Sequence, residues 1–218
     1  LAPTGNTAVS FPGTNGSYVN FGTNGAIFNI NSSNVLCEAW LYLNSLSLYT
    51  IAMANVYTVT GGTTQYWTWE FAVASNGKPS FRLNNTTGGN AGSPGLNVGL
   101  GTNTISNQTW THVTWFVDTT SSKVYVAVNG SWSTSFSPTG PFFFDPNASF
   151  IIGGNDTYLN GYIQDLRIIK GGVVTTSSSF TPQAAPWASG SVPSYITGGT
   201  NVFGLSPPYM QQIRFFKS

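Results

Sequence analysis

The sequence contains very few charged residues. Lys and Arg number 7 and Asp and Glu number 6 in 218 residues, so the charged fraction is 6%, against about 25% in an ordinary soluble domain. The net charge of +1 comes without the basic clusters that nucleic acid or anionic lipid surfaces require. The composition therefore argues against nucleic-acid binding.

Cysteine and histidine are equally scarce. Cys37 is the only cysteine, so no intrachain disulfide can form, and its apolar neighbours in VLCEAWLYL predict a small buried side chain. His112 is the only histidine, and its strand-like context WTHVTWF predicts a packed, hydrogen-bonded ring rather than a general base. One His and one Cys cannot supply a tetrahedral zinc site without several carboxylates.

Long apolar runs are also missing. No stretch approaches the roughly 18 residues of a membrane-spanning helix, which predicts a protein that does not insert into a membrane. There is no signal-peptide pattern, and the chain begins at Leu1, so its N-terminus does not indicate a compartment. No Walker-type or dinucleotide-binding glycine motif occurs, which argues against a nucleotide enzyme.

What the chain does contain is aromatic residues, at 15%, and 25 glycines. The segment QYWTWEFAVA alternates, with Trp67, Trp69, Phe71 and Val73 on one face of a predicted strand. WTHVTWFVD and VYVAVNG predict a β-hairpin closed by the polar turn DTTSSK. Short strands separated by Gly, Asn and Ser clusters predict an all-β antiparallel two-sheet jelly-roll sandwich. Further strands are predicted over 8–11, 17–21, 34–43, 80–83, 149–154 and 162–169.

Two segments depart from this pattern. Residues 84–107 are rich in Gly and Asn and predict a long loop over one face. Residues 1–187 are predicted to form the jelly-roll domain, and residues 188–218 a Pro- and Ser-rich, apolar C-terminal tail. This tail is too apolar for a flexible linker. We expect it either to return along the domain as a strap or to dock on a neighbouring chain, with an added strand as one form of contact.

The order of three segments identifies a resemblance to a known family. VLCEAWLYLNS, WTHVTWFVDTTSSKVYVAVNG and FIIGGNDTYLNGYIQDLRIIKGG resemble the concanavalin A-like, laminin-G-type jelly roll, from about Ala8 to Trp187. The segment IIKGGVVTTSSSFTPQAAPW is similar to the versions in structural proteins of tailed phages and of large DNA viruses of algae. The resemblance implies a two-sheet sandwich that often recognises glycans, sometimes through calcium. Gln164 stands where the family often has Asp.

Carboxylates are too sparse for the usual hydrolytic site. Glycoside hydrolysis generally needs two carboxylates at a defined separation, and catalytic jelly rolls of this kind place them on one strand. Glu38 and Glu70 each stand alone in a predicted strand, and the remaining alternative is that they meet across neighbouring strands. We therefore predict no catalytic residues and a protein that is not an enzyme.

Calcium is the better metal candidate, because it prefers oxygen ligands from loops. The predicted loops supply Asp145, Asn147, Asn155 and Asp156, which could converge at one rim of the sandwich. The alternative is that they are ordinary turn residues bonded to their own backbone. Calcium is therefore an optional ligand rather than a required cofactor.

Glycan binding requires no charge, because hydroxyl and amide groups bond the sugar and an aromatic ring covers its apolar face. Aromatic candidates in or beside predicted loops are Tyr49, Tyr57, Trp132 and Tyr158, with simple packing as the alternative. The chain also carries N-x-S/T sequons, which predict attachment of N-linked glycans. Their abundance is partly a consequence of the high Asn, Ser and Thr content. The acceptor asparagines are Asn15, Asn31, Asn84, Asn85, Asn107, Asn129, Asn147 and Asn155.

The stretch from Gly153 to Gly172 concentrates four charges, two of them in the predicted strand 162–169. Alternation places Asp165 and Arg167 on the same face as Ile163 and Ile169. This predicts an acid–base pair that fixes a strand at the edge of the sandwich.

Two functions follow from the composition and the resemblance. The first is a non-enzymatic virion structural or surface protein, a capsid or fibre component with a lectin-like jelly roll. Its partners would be other virion proteins or copies of itself, reached through the C-terminal tail, and host surface glycans. The alternative is a secreted or cell-surface carbohydrate-binding module, and a glycan-cleaving enzyme is less favoured. The expected location is the virion surface or the extracellular space.

Overall fold

The computed structural model describes residues 8–23, 33–59, 63–84, 96–133, 135–138, 148–154, 157–184 and 191–205. These residues form strands and connecting turns, and none of them is helical. Accordingly, they include no helix that could cross a membrane. The strands are β1 (Val9–Pro12), β2 (Val19–Thr23), β3 (Val35–Leu43), β4 (Tyr49–Val59), β5 (Thr63–Val73), β6 (Pro79–Asn84), β7 (Leu96–Leu100), β8 (Thr111–Asp118), β9 (Lys123–Val128), β10 (Ser131–Trp132), β11 (Ser149–Ile152), β12 (Asn160–Lys170), β13 (Val173–Val174), β14 (Ile196–Thr197) and β15 (Thr200–Leu205).

Two antiparallel sheets make up the sandwich. The front sheet has the strand order β1-β12-β3-β8-β9-β10, and β15 also pairs with β12. The back sheet has the order β2-β11-β4-β5-β6-β7. A small third sheet consists of β13 and β14. The predicted all-β two-sheet sandwich is confirmed. The predicted loop over 84–107 is wrong in part, because residues 96–100 form β7 against β6.

The core lies between the inward faces of the two sheets. Trp69 and Phe71 of β5 face inward, and Phe71 contacts Trp115 of β8 with ring centroids 5.6 Å apart. The indole nitrogen of Trp115 donates to the carbonyl of Ser80 at 3.0 Å, so this polar atom keeps a partner inside the core. Cys37 is also fully buried, as predicted. The alternation read from the sequence therefore describes the inward face of β5 correctly at Trp69, Phe71 and Val73.

A β-bulge at Asp165 interrupts the alternation of β12. Asp165 has a φ of 50°, and the register against β3 shifts between Gln164 and Arg167. An extra residue in a strand reverses which side chains face the core beyond it. The predicted shared face of Ile163 and Ile169 is therefore wrong. The core-facing residues are Ile163, Leu166 and Ile168, and those on the outward side are Gln164, Arg167 and Ile169.

The position of β12 also differs from the prediction. It lies inside the front sheet, between β3 on one side and β1 and β15 on the other, and is not an edge strand. Arg167 pairs across the sheet with Glu38 of β3, to which its Nε donates a hydrogen bond. The acid partner that the structure records for Arg167 is therefore supplied by a neighbouring strand, which the sequence alone did not indicate.

The C-terminal strap, residues 173–184 and 191–205, covers much of the outward face of the front sheet. Val174 and Ile196 of the strap pack on Leu36, Phe116 and Ile169. Farther along, β15 adds to β12 in antiparallel register. The described part of the predicted tail, residues 191–205, therefore lies along the domain of its own chain.

Candidate functional site

Three aromatic side chains lie together on the outward face of the front sheet. Tyr42, Trp110 and Tyr162 form this aromatic platform, with ring centroids 5.6 Å apart for Tyr42 and Trp110, 5.8 Å for Tyr42 and Tyr162, and 6.5 Å for Trp110 and Tyr162. Each ring thus contacts the other two within the range typical of aromatic pairs. The result is a continuous aromatic surface built from three separate strands or strand ends.

Strand alternation and register explain why these rings meet. Leu41 and Leu43 of β3 face the core, so Tyr42 between them points outward. Tyr42 is directly opposite Tyr162 in the β3–β12 pairing. Trp110 precedes β8, whose first residue pairs with Leu41. Antiparallel register therefore fixes the platform on well-packed strands, which is a rigid arrangement suited to ligand binding.

The platform is accessible, and its surroundings are polar but uncharged. Tyr162 is 37% exposed, while Tyr42 and Trp110 are half-buried. At its edge, the side-chain amide of Asn44 donates to Oδ1 of Asn160 at 2.8 Å. The exposed residue Gln108 is held beside β3 by its backbone N–H, which donates to the carbonyl of Leu43 at 2.7 Å. Rings flanked by amides provide the combination that sugars require.

None of the three platform residues was a candidate from the sequence. Each lies at an outward-facing position of a predicted strand. This alternation of inward and outward positions was the one signal in the sequence that could have indicated them. Parity does not reveal which strands are neighbours, so the meeting of Tyr42 with Tyr162, 120 positions later, needed the topology.

Two of the aromatic candidates from the sequence lie in β4. Tyr49 is 4% exposed and belongs to the core cluster, with its hydroxyl 2.9 Å from Oγ of Ser45. Its ring cannot stack on a sugar in this structure, so that prediction is corrected. Tyr57 also belongs to β4, but its side chain lies outside the described part of the chain.

The other two candidates are not among the three rings of the platform. Trp132 is half-buried in β10, with its ring centroid 5.5 Å from that of Phe180 of the strap and 6.5 Å from that of Tyr125. The ring of Trp132 is thus in contact with the strap, and Trp132 stays an untested candidate. Tyr158 is half-buried and donates its hydroxyl to Oδ1 of Asn15 at 2.7 Å, so it stays a separate, untested candidate.

The calcium candidates Asp145, Asn147, Asn155 and Asp156 lie outside the described residues. In the described ranges, no group of three or more His, Cys, Asp or Glu side chains is placed to hold a metal ion. Asp118, another loop acid, accepts hydrogen bonds from the backbone of Thr120 and Ser121, as a turn-forming aspartate does.

The predicted glycosylation sites lie partly within and partly outside the described residues. Asn15, Asn107 and Asn129 are exposed. Asn129 is held in place because its Oδ1 accepts the backbone N–H of His112 at 3.0 Å. Asn84 ends β6, but its side chain is outside the described part. The remaining acceptors, also outside it, are Asn31, Asn85, Asn147 and Asn155.

A second polar cluster lies beneath the strap and is built around Glu38, which is 1% exposed. Its carboxylate lies 3.1 Å from Nε2 of His112 and accepts hydrogen bonds from Arg167 and from the strap residue Tyr195. His112 is 1% exposed and its ring packs 5.3 Å from that of Trp40. The prediction of a packed, hydrogen-bonded histidine is confirmed.

The electrostatics of this cluster favour an ionised Glu38. Burial by itself raises the pKa of Glu38, but the hydrogen bond and charge of His112, the charge of Arg167 and the hydroxyl of Tyr195 lower it, and the net pKa is below its usual range. Burial, followed by the nearby Glu38 charge, raises the pKa of Tyr195 well above its usual range. Glu38 is thus a buried carboxylate that joins two strands of the front sheet to the strap.

Glu70 occupies a comparable position on the other sheet. Its carboxylate accepts a hydrogen bond from Nη1 of Arg82 at 2.7 Å and another from Thr50. Glu70 belongs to β5 of the back sheet and Glu38 to β3 of the front sheet. The two acids point outward from opposite sides of the sandwich, since Trp69 and Phe71 beside Glu70, and Cys37 and Ala39 beside Glu38, face the core. They therefore do not meet across neighbouring strands, which was the remaining alternative from the sequence.

These features define a lectin-like jelly roll that carries an exposed aromatic platform. The chain belongs to the concanavalin A-like lectin/glucanases superfamily, whose family model matches residues 12–178. No curated protein matches the sequence.

Solved structures with the same fold include carbohydrate-binding domains. The CBM40 domain of the Ruminococcus gnavus IT-sialidase, bound to alpha2,3 sialyllactose, has a TM-score of 0.59 at 10% identity and covers 79% of this chain and 92% of that one. Domain 4 of AbnA, a GH43 extracellular arabinanase from Geobacillus stearothermophilus, was solved with arabinotriose. It has a TM-score of 0.53 at 18% identity and covers 79% of this chain and 78% of that one. The NanB sialidase of Streptococcus pneumoniae has a TM-score of 0.57 at 11% identity, covering 85% of this chain and 29% of that one. At these identities the likeness is one of fold.

Proposed function

We propose that this protein is a non-catalytic carbohydrate-binding module whose glycan stacks on the aromatic platform. The observation that carries the proposal is the contact of Tyr42, Trp110 and Tyr162 on the outward face of the front sheet. Burying the apolar face of a sugar ring on this surface removes apolar area from water, worth about 25 cal/mol per Å². The neighbouring amides can bond the hydroxyl groups at the sugar's edge.

The state of the two strand glutamates supports a binding function over hydrolysis. A glycosidase places two carboxyl groups about 5 to 10 Å apart on either side of the scissile bond. Glu38 is sealed beneath the strap, and Glu70 is 1% exposed and paired with Arg82. Neither is placed to donate a proton to a sugar on the platform.

The comparisons support the same proposal at the level of the fold. Two of the solved relatives were determined with oligosaccharides bound, so this architecture serves sugar recognition in other proteins. The neutral surface of the present chain, with 6% charged residues, is compatible with such a role.

The test is a glycan array followed by calorimetric titration of the strongest ligand. We expect Tyr162→Ala and Trp110→Ala to weaken binding at least tenfold, which is about 1.4 kcal/mol. Val173→Ala is the matched control, because Val173 is an exposed apolar residue of the strap at 60% exposure, away from the platform. A Tyr158→Ala variant that loses binding while the platform variants keep it would move the site to Tyr158.

The platform could instead be a contact between two copies of the chain. Analytical ultracentrifugation of the wild type and Tyr162→Ala at equal concentration distinguishes a glycan-binding platform from a dimer contact. A dimer that dissociates on this substitution, without glycan binding by either protein, would contradict the proposal.

A virion role is the second candidate, and the segment IIKGGVVTTSSSFTPQAAPW favours it through its similarity to viral structural proteins. In a virion role, the module would be displayed on a capsid or fibre and would attach the virus particle to host surface glycans. The tail beyond residue 205, SPPYMQQIRFFKS, is the segment we propose for contacts with other virion proteins or copies of the chain. Deleting residues 206–218 should then prevent incorporation into particles while glycan binding persists. Normal incorporation of the truncated chain would contradict the tail contact.

A further inference from the structure

We infer that the platform holds a single sugar residue at the end of a glycan chain or branch, and does not hold an internal stretch of a polysaccharide. The inference rests on the proposed function and specifies which part of a glycan is recognised. Two features of the front sheet carry it: the mutual arrangement of the three rings, and the burial of the outward-facing residues directly beside them.

The three rings form a triangle and not a straight row. β3, which carries Tyr42, lies between β12 and β8, and two strands that flank a third are about 10 Å apart. The ring centroids of Tyr162 and Trp110 are nevertheless 6.5 Å apart, so these two side chains lean toward each other across β3. In a straight row, each would be farther from the other than from Tyr42 by a factor of two. A linear sugar chain therefore cannot place successive residues on successive rings.

The rings also face in different directions. The plane of Tyr42 is tilted by 54° from that of Trp110 and by 70° from that of Tyr162, and the planes of Trp110 and Tyr162 differ by 49°. A sugar stacks when its apolar face lies parallel to an aromatic ring at van der Waals distance, about 4 Å. One sugar can thus stack on only one of the three rings, while the other two contact its sides. A flat polymer surface cannot lie on all three.

A buried row of side chains borders the platform along the strands. Residues two positions apart on a strand point to the same face and are about 7 Å apart. The neighbours that the platform residues have in this direction are little exposed: Gln164 at 3%, Trp40 at 5% and His112 at 1%. Register places them side by side, because Trp40 pairs with Gln164 on one side and with His112 on the other. The accessible surface therefore ends one side-chain row from the stacking rings.

The strap covers this buried row. The indole nitrogen of Trp40 donates to the carbonyl of the strap residue Gln183 at 3.2 Å, and the ring of Phe180 lies 6.0 Å from that of His112. A glycan on the platform meets the strap in this direction, so its chain cannot continue there. At the opposite side the strands end, and Asn44 and Asn160 form an exposed amide pair.

A terminal sugar residue fits these boundaries. Its ring stacks on one aromatic face, its free end points toward the strap, and the remainder of the glycan leaves past the strand ends. A terminal residue also has a free hydroxyl group at the position where an internal residue carries the next sugar. Amides such as those of Asn44 and Asn160 can both donate to and accept from sugar hydroxyls.

Chain length is the variable that tests this inference. Linear arabinose, glucose and galactose oligomers of two to six residues, with the series that contains the strongest array ligand added, are titrated into the wild type by calorimetry. We expect the Kd to change by less than about fivefold between the disaccharide and the hexasaccharide of a series that binds, because residues beyond the terminal one add few contacts. A larger gain in affinity with length would overturn the inference and leave the carbohydrate-binding function intact.

The number of protein molecules bound to a long chain gives an independent readout. Sedimentation velocity with linear polymers of 20 and 100 residues should show the same number of bound molecules per chain at saturation, because both polymers have the same number of ends. A number that rises in proportion to length would show binding along the chain and would overturn the inference.

Platform variants separate failure of this inference from failure of the proposed function. Tyr162→Ala should weaken binding by the same factor for every chain length, whereas Val173→Ala should bind as the wild type does. Full binding by Tyr162→Ala and Trp110→Ala would place the glycan elsewhere and overturn both assignments. No binding by the wild type to any oligomer or array glycan would contradict the proposed function itself.

Discussion

The hydroxyl of Tyr195 donates a hydrogen bond to the carboxylate of Glu38, although the two residues are 157 positions apart. The bond joins the strap to the centre of the front sheet. Phe180 stacks on Tyr195 with ring centroids 3.8 Å apart, and Trp40 donates from its indole nitrogen to the carbonyl of Gln183 at 3.2 Å. The strap is therefore fixed by specific polar contacts as well as by apolar packing.

Replacing Tyr195 with Phe should lower the free energy of unfolding by about 2 kcal/mol, because a hydrogen bond to a buried charged group is lost. Urea denaturation measures the change. Tyr125→Phe is the control, since Tyr125 packs in the same apolar cluster and should change stability by less than about 0.5 kcal/mol. Equal effects of the two substitutions would contradict the importance of the Tyr195–Glu38 bond.

The stability of the protein should fall with acid in a way that depends on Glu38. Because the folded pKa of Glu38 is lowered, its stabilisation is complete above the unfolded carboxyl pKa of about 4.3 and is lost as the pH drops through the folded pKa. Glu38→Gln should cost about 3 kcal/mol at pH 7, because Arg167 then loses its anionic partner.

Urea denaturation between pH 7 and 3 checks this prediction. Glu38→Gln should show a shallower decline below pH 5 than the wild type, so that the two stabilities converge. Parallel pH profiles for the two proteins would show that Glu38 is not the titrating group.

Gly130 should be essential for docking of the strap. It has a φ of 79°, and a Cβ there would overlap the carbonyl of Phe180, whose N–H donates to the carbonyl of Gly130 at 3.0 Å. Gly171 has a φ of 83° with open space around it. Gly171→Ala should therefore cost only the backbone penalty of about 1–2 kcal/mol, and Gly130→Ala should cost more.

Limited proteolysis distinguishes these glycine variants further. Cleavage within residues 173–184 should accelerate in Gly130→Ala more than in Gly171→Ala. Similar stabilities and cleavage rates would indicate that the strap tolerates displacement at Phe180.

Hydrolysis of glycans should be absent. Incubation of the wild type with bound oligosaccharides should release no new reducing ends, because neither Glu38 nor Glu70 is placed to act on a sugar at the platform. Cleavage that disappears in Glu70→Gln or Glu38→Gln would contradict the assignment of a binding function.

The sequence was sufficient for the fold and for much of the core, because alternation in β5 follows the inward and outward faces directly. It failed at β12, where the bulge at Asp165 reverses the parity. It also failed for Tyr49, which is buried, because loop-like surroundings in a sequence do not report burial. The platform depends on which strands are neighbours, and a single sequence does not supply that information.

Titration of the most tightly bound oligosaccharide into the wild type and the combined variant Tyr42→Ala/Trp110→Ala/Tyr162→Ala tests the central claim most directly. Circular dichroism of the variant confirms that it is folded before titration. The account predicts saturable binding to the wild type and to Val173→Ala, and no measurable binding to the combined variant. Equal affinity of the folded combined variant and the wild type would contradict the claim that the platform is the glycan site.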